Sequence, residues 1–184
     1  MVQEKNTKKI NYHRVKIAAS DLFLRNGYGN TSMNDIADTL QIKKASLYHH
    51  IQTREQLLID IVKDIEQLLE SDLSKINSIA EHDQQKKFLL QAVKNFYYDS
   101  DMAYLILRIS CETSNQEVIQ STHEFIETWT KQFTVLLAQK IDKTTAKTAA
   151  LKMTHQLIGT LICSKIADKK QLMAKAIKDL EKIL

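Results

Sequence analysis

Apolar residues recur at helical spacing in stretch after stretch of this chain. Val15, Ala18, Ala19, Leu22 and Phe23 form one stripe, which predicts a first helix from about Lys9 to Asn26, ended by Gly27 as a C-cap. Met33, Ile36, Ala37 and Leu40 repeat the pattern, preceded by Ser32 with Asp35 three residues on, a capping-box signature. Gln41, Ile42 and Lys43 read as a turn. A short helix follows from about Lys44 to His50, with only Leu47 facing inward and Ile51 closing it. Thr53 and Gln56 form another capping box and open a long helix with the stripe Leu57, Leu58, Ile61, Val62, Ile65, Leu68 and Leu69.

The pattern weakens between Ser71 and Asp83, which predicts a loosely helical connector. Phe88, Leu89, Ala92, Val93, Phe96 and Tyr97 then mark a helix from Asp83 to Tyr98. The next, from Asp101 to about Cys111, is apolar nearly all round, so it is either buried or lines a cavity. A long stripe from Val118 to Leu137 (Val118, Ile119, Thr122, Phe125, Ile126, Trp129, Phe133, Leu136, Leu137) predicts a helix from about Gln116 to Ile141. Two last helices are predicted, from about Lys143 to Ala167 and from Lys169 to Ile183, with Asp168 and Gln171 as a capping signature between them. Residues 1–8 are polar and basic and read as a flexible arm.

Composition agrees with about nine helices. Proline is absent and glycine occurs three times in 184 residues, too few breakers for a turn-rich sheet fold, so the class is all-α. No apolar run approaches the ~18 residues that span a bilayer, and the N-terminus lacks the apolar core of a secretion signal, so a cytoplasmic location is expected. Cys111 and Cys163 are too few for a disulfide framework and are expected to be buried thiols. The formal net charge is +4. Residues 1–55 hold nine basic and five acidic side chains, a net of +4, and the remaining 129 balance at zero. The excess charge therefore sits with the first helices, the footprint of a phosphate-binding surface.

That charge gives the short Lys44–His50 helix its meaning. Lys43, Lys44, Ser46, Tyr48, His49 and His50 crowd a unit about two turns long, and few of its side chains are needed for packing. A short rod of hydrogen-bond donors propped on another helix suits the DNA major groove. The polar outer face of any amphipathic helical hairpin would give the same pattern, so the motif alone leaves both readings open.

The flanking residues resemble the tetracycline-repressor (TetR/AcrR) family of bacterial transcription regulators. The resemblance is carried by Ala18-Ala19, Leu22-Phe23, Gly27-Tyr28, Thr31-Ser32, Asp35-Ile36-Ala37, Lys44, Ser46 to His50, Arg54-Glu55 and Leu57-Leu58. It covers roughly residues 9–68, with the motif at 32–51. Two positions depart from the family pattern: Gln41 stands where glycine is common, and Lys43 where a capping serine is common. The Lys43 exchange reads as helix stability given up for DNA affinity, since a cation at a helix N-terminus opposes the dipole in the free protein.

The resemblance implies a DNA-binding unit over residues 1–52 and an effector-binding and dimerisation domain over 53–184. It implies a homodimeric repressor that a small molecule releases from its operator, reading half-sites about 34–36 Å apart or modestly more. Lys44, Tyr48, His49, Thr31 and Arg54 are expected at phosphates. Lys43, Ser46 and His50 are expected at base edges or phosphates, and Ala45 and Met33 at thymine methyls; Ser32 completes the expected interface. Effector-pocket candidates are Phe96, Tyr104, Arg108, Cys111, Phe125 and Trp129, with core packing the plainer reading for each; Arg108 meets either an acidic effector or Glu112 one turn on. Gly159 and Cys163 form a narrow helix face which, with Leu172 and Ala176, suits pairing with a second copy; the competing reading has both last stripes filling one protomer's core.

Enzyme motifs are missing: there is no phosphate-binding glycine loop, no HExxH and no nucleophile motif. His123 and Glu127 at i, i+4 are a weak metal pair. No cofactor or resident metal is expected, and no membrane partner. The rival reading is a helical small-molecule-binding or interaction module without DNA binding, which would have no reason to keep the basic excess in residues 1–55.

Overall fold

The computed structural model describes residues 11–49 and 51–184. Within them lie nine α-helices and one π-helical turn: α1 Tyr12–Asn26, α2 Met33–Thr39, α3 Lys44–Tyr48, α4 Arg54–Asn77, α5 His82–Lys94, the π turn Asn95–Asp99, α6 Met102–Glu112, α7 Gln116–Leu137, α8 Lys143–Ile166 and α9 Lys170–Ile183. The expected arm at residues 1–8 and His50 lie outside the described residues. The chain forms two compact units, one up to Ile61 and one from Val62.

In the first unit α1 packs on α2 and α2 on α3. Val15, Ala19, Phe23, Ile36, Leu47, Leu57 and Leu58 are each 0 % exposed and make its core. α1 starts at Tyr12, where Asn11 caps it by accepting from the Arg14 N–H at 3.0 Å; the expected start at Lys9 lies outside the described residues. Leu22 is only half-buried. Tyr12 Oη and Gln56 Nε2 both donate to the Asp60 carboxylate, the latter at 2.9 Å, fastening α1 to the start of α4.

The second unit is built round α8, which packs along α7 and α9. Its centre is aromatic: Phe96, Tyr97, Phe125, Trp129 and Phe133 are all at least 97 % buried, with Trp129 at 0 % exposure touching the other four rings. Phe96 and Tyr97 are sequence neighbours, yet both face the core. The π turn holds one residue more per turn than an α-helix and brings both inward.

Several expectations are corrected. α4 does not fade at Ser71: Leu73 and Ile76 extend its buried stripe to Asn77, a signal hidden among Ser71, Asp72, Ser74 and Lys75. Phe88 and Leu68 stand out of their stripes, 52 % and 50 % exposed. Ile119 is also exposed, and α7 stops at Leu137 rather than Ile141. Cys111 and Cys163 are exposed, not buried, because each sits on the solvent face of an otherwise apolar helix. Asp168 does not cap α9, whose N-cap is Lys169, without a side-chain bond. Instead it takes a left-handed conformation (φ 51°) just past the end of α8, with the Asp168 N–H on Lys165 O at 3.4 Å and the Lys169 N–H on Ser164 O at 2.9 Å. That is a Schellman ending, normally given to glycine.

Candidate functional site

α2 and α3 form the helix-turn-helix, and local bonding fixes each end. At the start of α2 the Asp35 N–H donates to Ser32 Oγ at 3.2 Å, while the Ser32 N–H and hydroxyl both donate to Asp35 Oδ2 at 2.7 Å. These bonds hold the Asp35 carboxyl below its ordinary pKa, the Ser32 backbone donor contributing most and its hydroxyl next. Ser32 is thus committed to the cap, and a carboxylate already occupies the helix N-terminus where a phosphate would otherwise sit.

α2 ends as α8 does. The Gln41 N–H donates to Asp38 O and the Ile42 N–H to Ala37 O, both at 3.0 Å, with Gln41 at φ 56°. A non-glycine residue there carries steric strain of about 1–2 kcal/mol. The turn then delivers Lys43 as the N-cap of α3, where it makes no side-chain cap bond.

α3 is five residues long and only Leu47 is buried. Lys44, Ala45, Ser46, Tyr48 and His49 are all exposed, as is Lys43. Lys44 Nζ lies 5.9 Å from the centre of the Tyr48 ring, so the cation and the phenol occupy one side of the helix. The unit is therefore a rigid cationic edge, anchored by one leucine and free of packing duties elsewhere. Met33, half-buried at the start of α2, offers a smaller apolar contact.

Two expected phosphate residues have internal roles instead. Thr31 is 0 % exposed and its hydroxyl donates to Gly27 O at 2.8 Å, so its side chain cannot reach a phosphate; it ties the α1–α2 loop to the end of α1. Arg54 lies 4.3 Å from the centre of the Tyr28 ring and donates through Nη1 to the carbonyls of Tyr28, at 3.0 Å, and Thr31. It is a brace for that loop. Tyr28, whose ring also meets Phe23 edge-on at 5.3 Å, carries part of the family resemblance, but the sequence alone assigned it no role.

In the second unit the expected pocket residues line neither of the two cavities described below. Phe96, Phe125 and Trp129 belong to the packed aromatic cluster. Tyr104 lies under the Lys165 ammonium, 5.4 Å away. Arg108 pairs with Glu112 one turn on (Nε to Oε1, 2.9 Å). A pocket of about 260 Å³ opens beside this cluster, walled by the π turn, the segment to Asp101 and the facing ends of α8 and α9. Gly159, Cys163, Leu172 and Ala176, by contrast, do line one groove, about 510 Å³, between α8 and α9. A Cβ built on Gly159 would meet nothing within 4 Å. His123 and Glu127 stand exposed, 3.9 Å apart, and no group of three metal-ligating side chains occurs among the described residues. No helix among them is long and apolar enough to cross a membrane.

Comparison with known proteins bears on this geometry. Residues 18–61 match the family model of bacterial regulatory proteins, tetR family, a span that takes in most of α1, the whole helix-turn-helix and the start of α4. The biofilm operon icaADBC negative transcriptional regulator IcaR of Staphylococcus aureus is 25 % identical over 149 residues, covering 78 % of this chain and 74 % of that protein. Among solved structures, a TetR transcriptional regulator from Legionella pneumophila superposes with a TM-score of 0.76 at 18 % identity over the whole of both chains. AibR in complex with isovaleryl coenzyme A and operator DNA superposes at 0.62, with 24 % identity over 80 % of this chain and 85 % of that one. The helix-turn-helix with its cationic, unburied second helix thus lies in a segment that matches the tetR family of bacterial regulatory proteins, and the chain shares its all-helical fold with solved TetR regulators.

Proposed function

We propose that this protein is a homodimeric, ligand-responsive transcriptional repressor. Residues 1–52 are the DNA-binding part, and residues 53–184 the effector-binding and dimerisation part. Each protomer lays α3 in a major groove, with Lys44, Tyr48 and His49 at phosphates and Lys43, Ala45 and Ser46 toward the base edges. Phosphate contacts set register, and base contacts carry sequence preference. The observation that carries this reading is α3 itself: Leu47 is 0 % exposed, whereas every other described position of the helix, two of them carrying the Lys44–Tyr48 pair, is left to solvent.

A second copy is favoured by α8, which carries apolar or small residues on two sides. One side holds buried Met153, Leu157 and Leu161; the other presents Leu151, exposed Gly159 and Cys163, and Ile166 at 82 % exposure. These apolar and small positions stand among exposed Lys152, His155 and Gln156, and a second helix would cover them. The α8–α9 groove has the shape a matching helix pair from another copy would fill. AibR was crystallised with an acyl-coenzyme A ligand and operator DNA together; the parallel proposed here is an effector in the second unit that binds the two dimer arrangements unequally and so shifts their populations.

The test is nuclease protection and salt-titrated binding on DNA from upstream of the protein's own gene. Protection of a two-fold symmetric site, with affinity falling steeply as salt rises, is the expected result. Purified protein that stays monomeric and shows no salt-sensitive attachment would end the proposal.

A further inference from the structure

The aromatic centre of the second unit holds two polar donors that the fold leaves without use. Tyr97 Oη and Trp129 Nε1 are both fully shielded, and neither has a hydrogen-bond partner. Buried donors are almost always paired, and an unpaired one calls for an explanation. Their rings meet at 69° with centres 5.5 Å apart, so the two groups belong to one cluster rather than to separate defects.

Tyr97 also belongs to the wall of the 260 Å³ pocket, together with Tyr98, Asp101, Leu161, Ser164 and Met173. One residue therefore connects an accessible cavity with the interior that holds the orphaned donors. It sits in the π turn, where Phe96 and Tyr97 are turned inward side by side. Such widened turns recur at ligand sites, since they place a side chain where an α-helix would not.

The chemistry of an occupant follows from what surrounds those donors. Burial alone pushes the Tyr97 hydroxyl well above its ordinary pKa, with no charged neighbour contributing, so it stays a neutral donor. The cations at the mouth of the pocket are already engaged: Lys165 pairs with Asp101, and Lys170 lies 4.4 Å from the centre of the Tyr98 ring. An ionic group driven inward would find no counter-charge there. A neutral acceptor on a flat apolar body would satisfy the donors and bury its rings against the pocket's own apolar wall, Tyr97, Leu161 and Met173.

We propose that the second unit binds an uncharged, flat apolar molecule carrying a carbonyl-type acceptor, entering past Tyr97 so that the acceptor takes the Tyr97 hydroxyl and the Trp129 indole N–H. This rests on the ligand-responsive reading above and gives it a ligand class.

Trp129 is the single tryptophan of the chain, so its emission reports on the site directly. The full-length protein is titrated with acetophenone, with ethylbenzene as the same shape lacking the acceptor, and with benzoate as the charged counterpart. Acetophenone is expected to shift Trp129 emission saturably, at least tenfold tighter than either of the others. Tyr97→Phe should weaken acetophenone about five- to tenfold, the worth of one hydrogen bond, while leaving ethylbenzene unchanged. Its melting temperature should hold or rise, because the hydroxyl removed has no partner in the unliganded protein. Equal binding of all three probes, no saturable shift with any, a Tyr97→Phe protein that discriminates as before, or one that melts markedly earlier would each overturn the proposal. Salt-titrated DNA binding by the same preparation separates the two readings. If it persists while the probes fail, only the ligand class falls; if it is missing, the regulator reading falls.

Discussion

Arg54 lies over the ring of Tyr28, 4.3 Å from its centre, and donates to the carbonyl of the same residue at 3.0 Å. One side chain from the first turn of α4 thus holds the loop that sets the start of α2. Arg54→Ala should lower stability by about 2 kcal/mol, the usual worth of hydrogen bonds from a charged donor. Arg54→Lys should recover little, because an ammonium has neither the planar face for the ring nor the fork for several carbonyls. Urea unfolding of the two variants checks this. Wild-type stability in Arg54→Ala would return the residue to the list of free phosphate ligands.

Lys44 is the contrasting case, exposed and lying beside the Tyr48 ring. Lys44→Ala should leave unfolding within about 0.5 kcal/mol of wild type. It should weaken binding to specific and unrelated DNA alike and reduce the slope of log affinity against log salt by about 1. Thr31→Val should do the reverse: a stability loss of about 1–2 kcal/mol from the carbonyl it leaves unpaired, with the salt slope unchanged.

The turn between α2 and α3 is strained at Gln41 and uncapped at Lys43. Gln41→Gly should stabilise by about 0.5–1 kcal/mol, the left-handed cost removed less the extra freedom of glycine when unfolded. Lys43→Ser should add about 1 kcal/mol through an N-cap bond and also weaken DNA binding. Chemical denaturation with a parallel binding titration decides whether the lysine exchanges stability for affinity. A stabilised variant that binds as tightly as wild type would show that it does not.

Gly159 gives a two-sided test of self-association. Within one protomer an added Cβ meets nothing, so Gly159→Ala should stabilise an isolated α8 by up to about 1 kcal/mol through helix propensity. If a second copy packs on this face, the same methyl group holds the helices apart. The expected outcome is a weaker dimer in sedimentation and a melting temperature that depends more steeply on protein concentration.

The α2 cap sets an acid limit for the first unit. Because the folded Asp35 carboxyl is held below its ordinary value, its contribution is complete above about pH 3.9 and is lost as pH falls through the lowered folded value. Asp35→Asn should flatten the acid limb of a stability-against-pH curve for the helix-turn-helix and leave the neutral region with only the smaller loss of the charge.

Periodicity was enough to expose most helices, because each must bury one face and its apolar residues return every three to four positions. Two caps were equally legible, since Ser32–Asp35 and Thr53–Gln56 act over one turn of local chain, whereas the one expected at Asp168 gave way to the ending of α8. The cationic character of α3 was legible too, because a helix with one buried leucine has little else to hide. Spacing could not say which way a polar side chain turns when two partners compete for it. Thr31 and Arg54 carry groups suited to phosphates, and only the fold shows carbonyls of the α1–α2 loop taking them. Nor could spacing show that a π turn brings Phe96 and Tyr97 inward together, or that Tyr97 and Trp129 are buried with nothing to donate to. Local order follows from contacts a few residues apart, which the sequence states outright. Partnership, and the lack of it, is a matter of which distant surfaces meet, and that is decided when the helices pack.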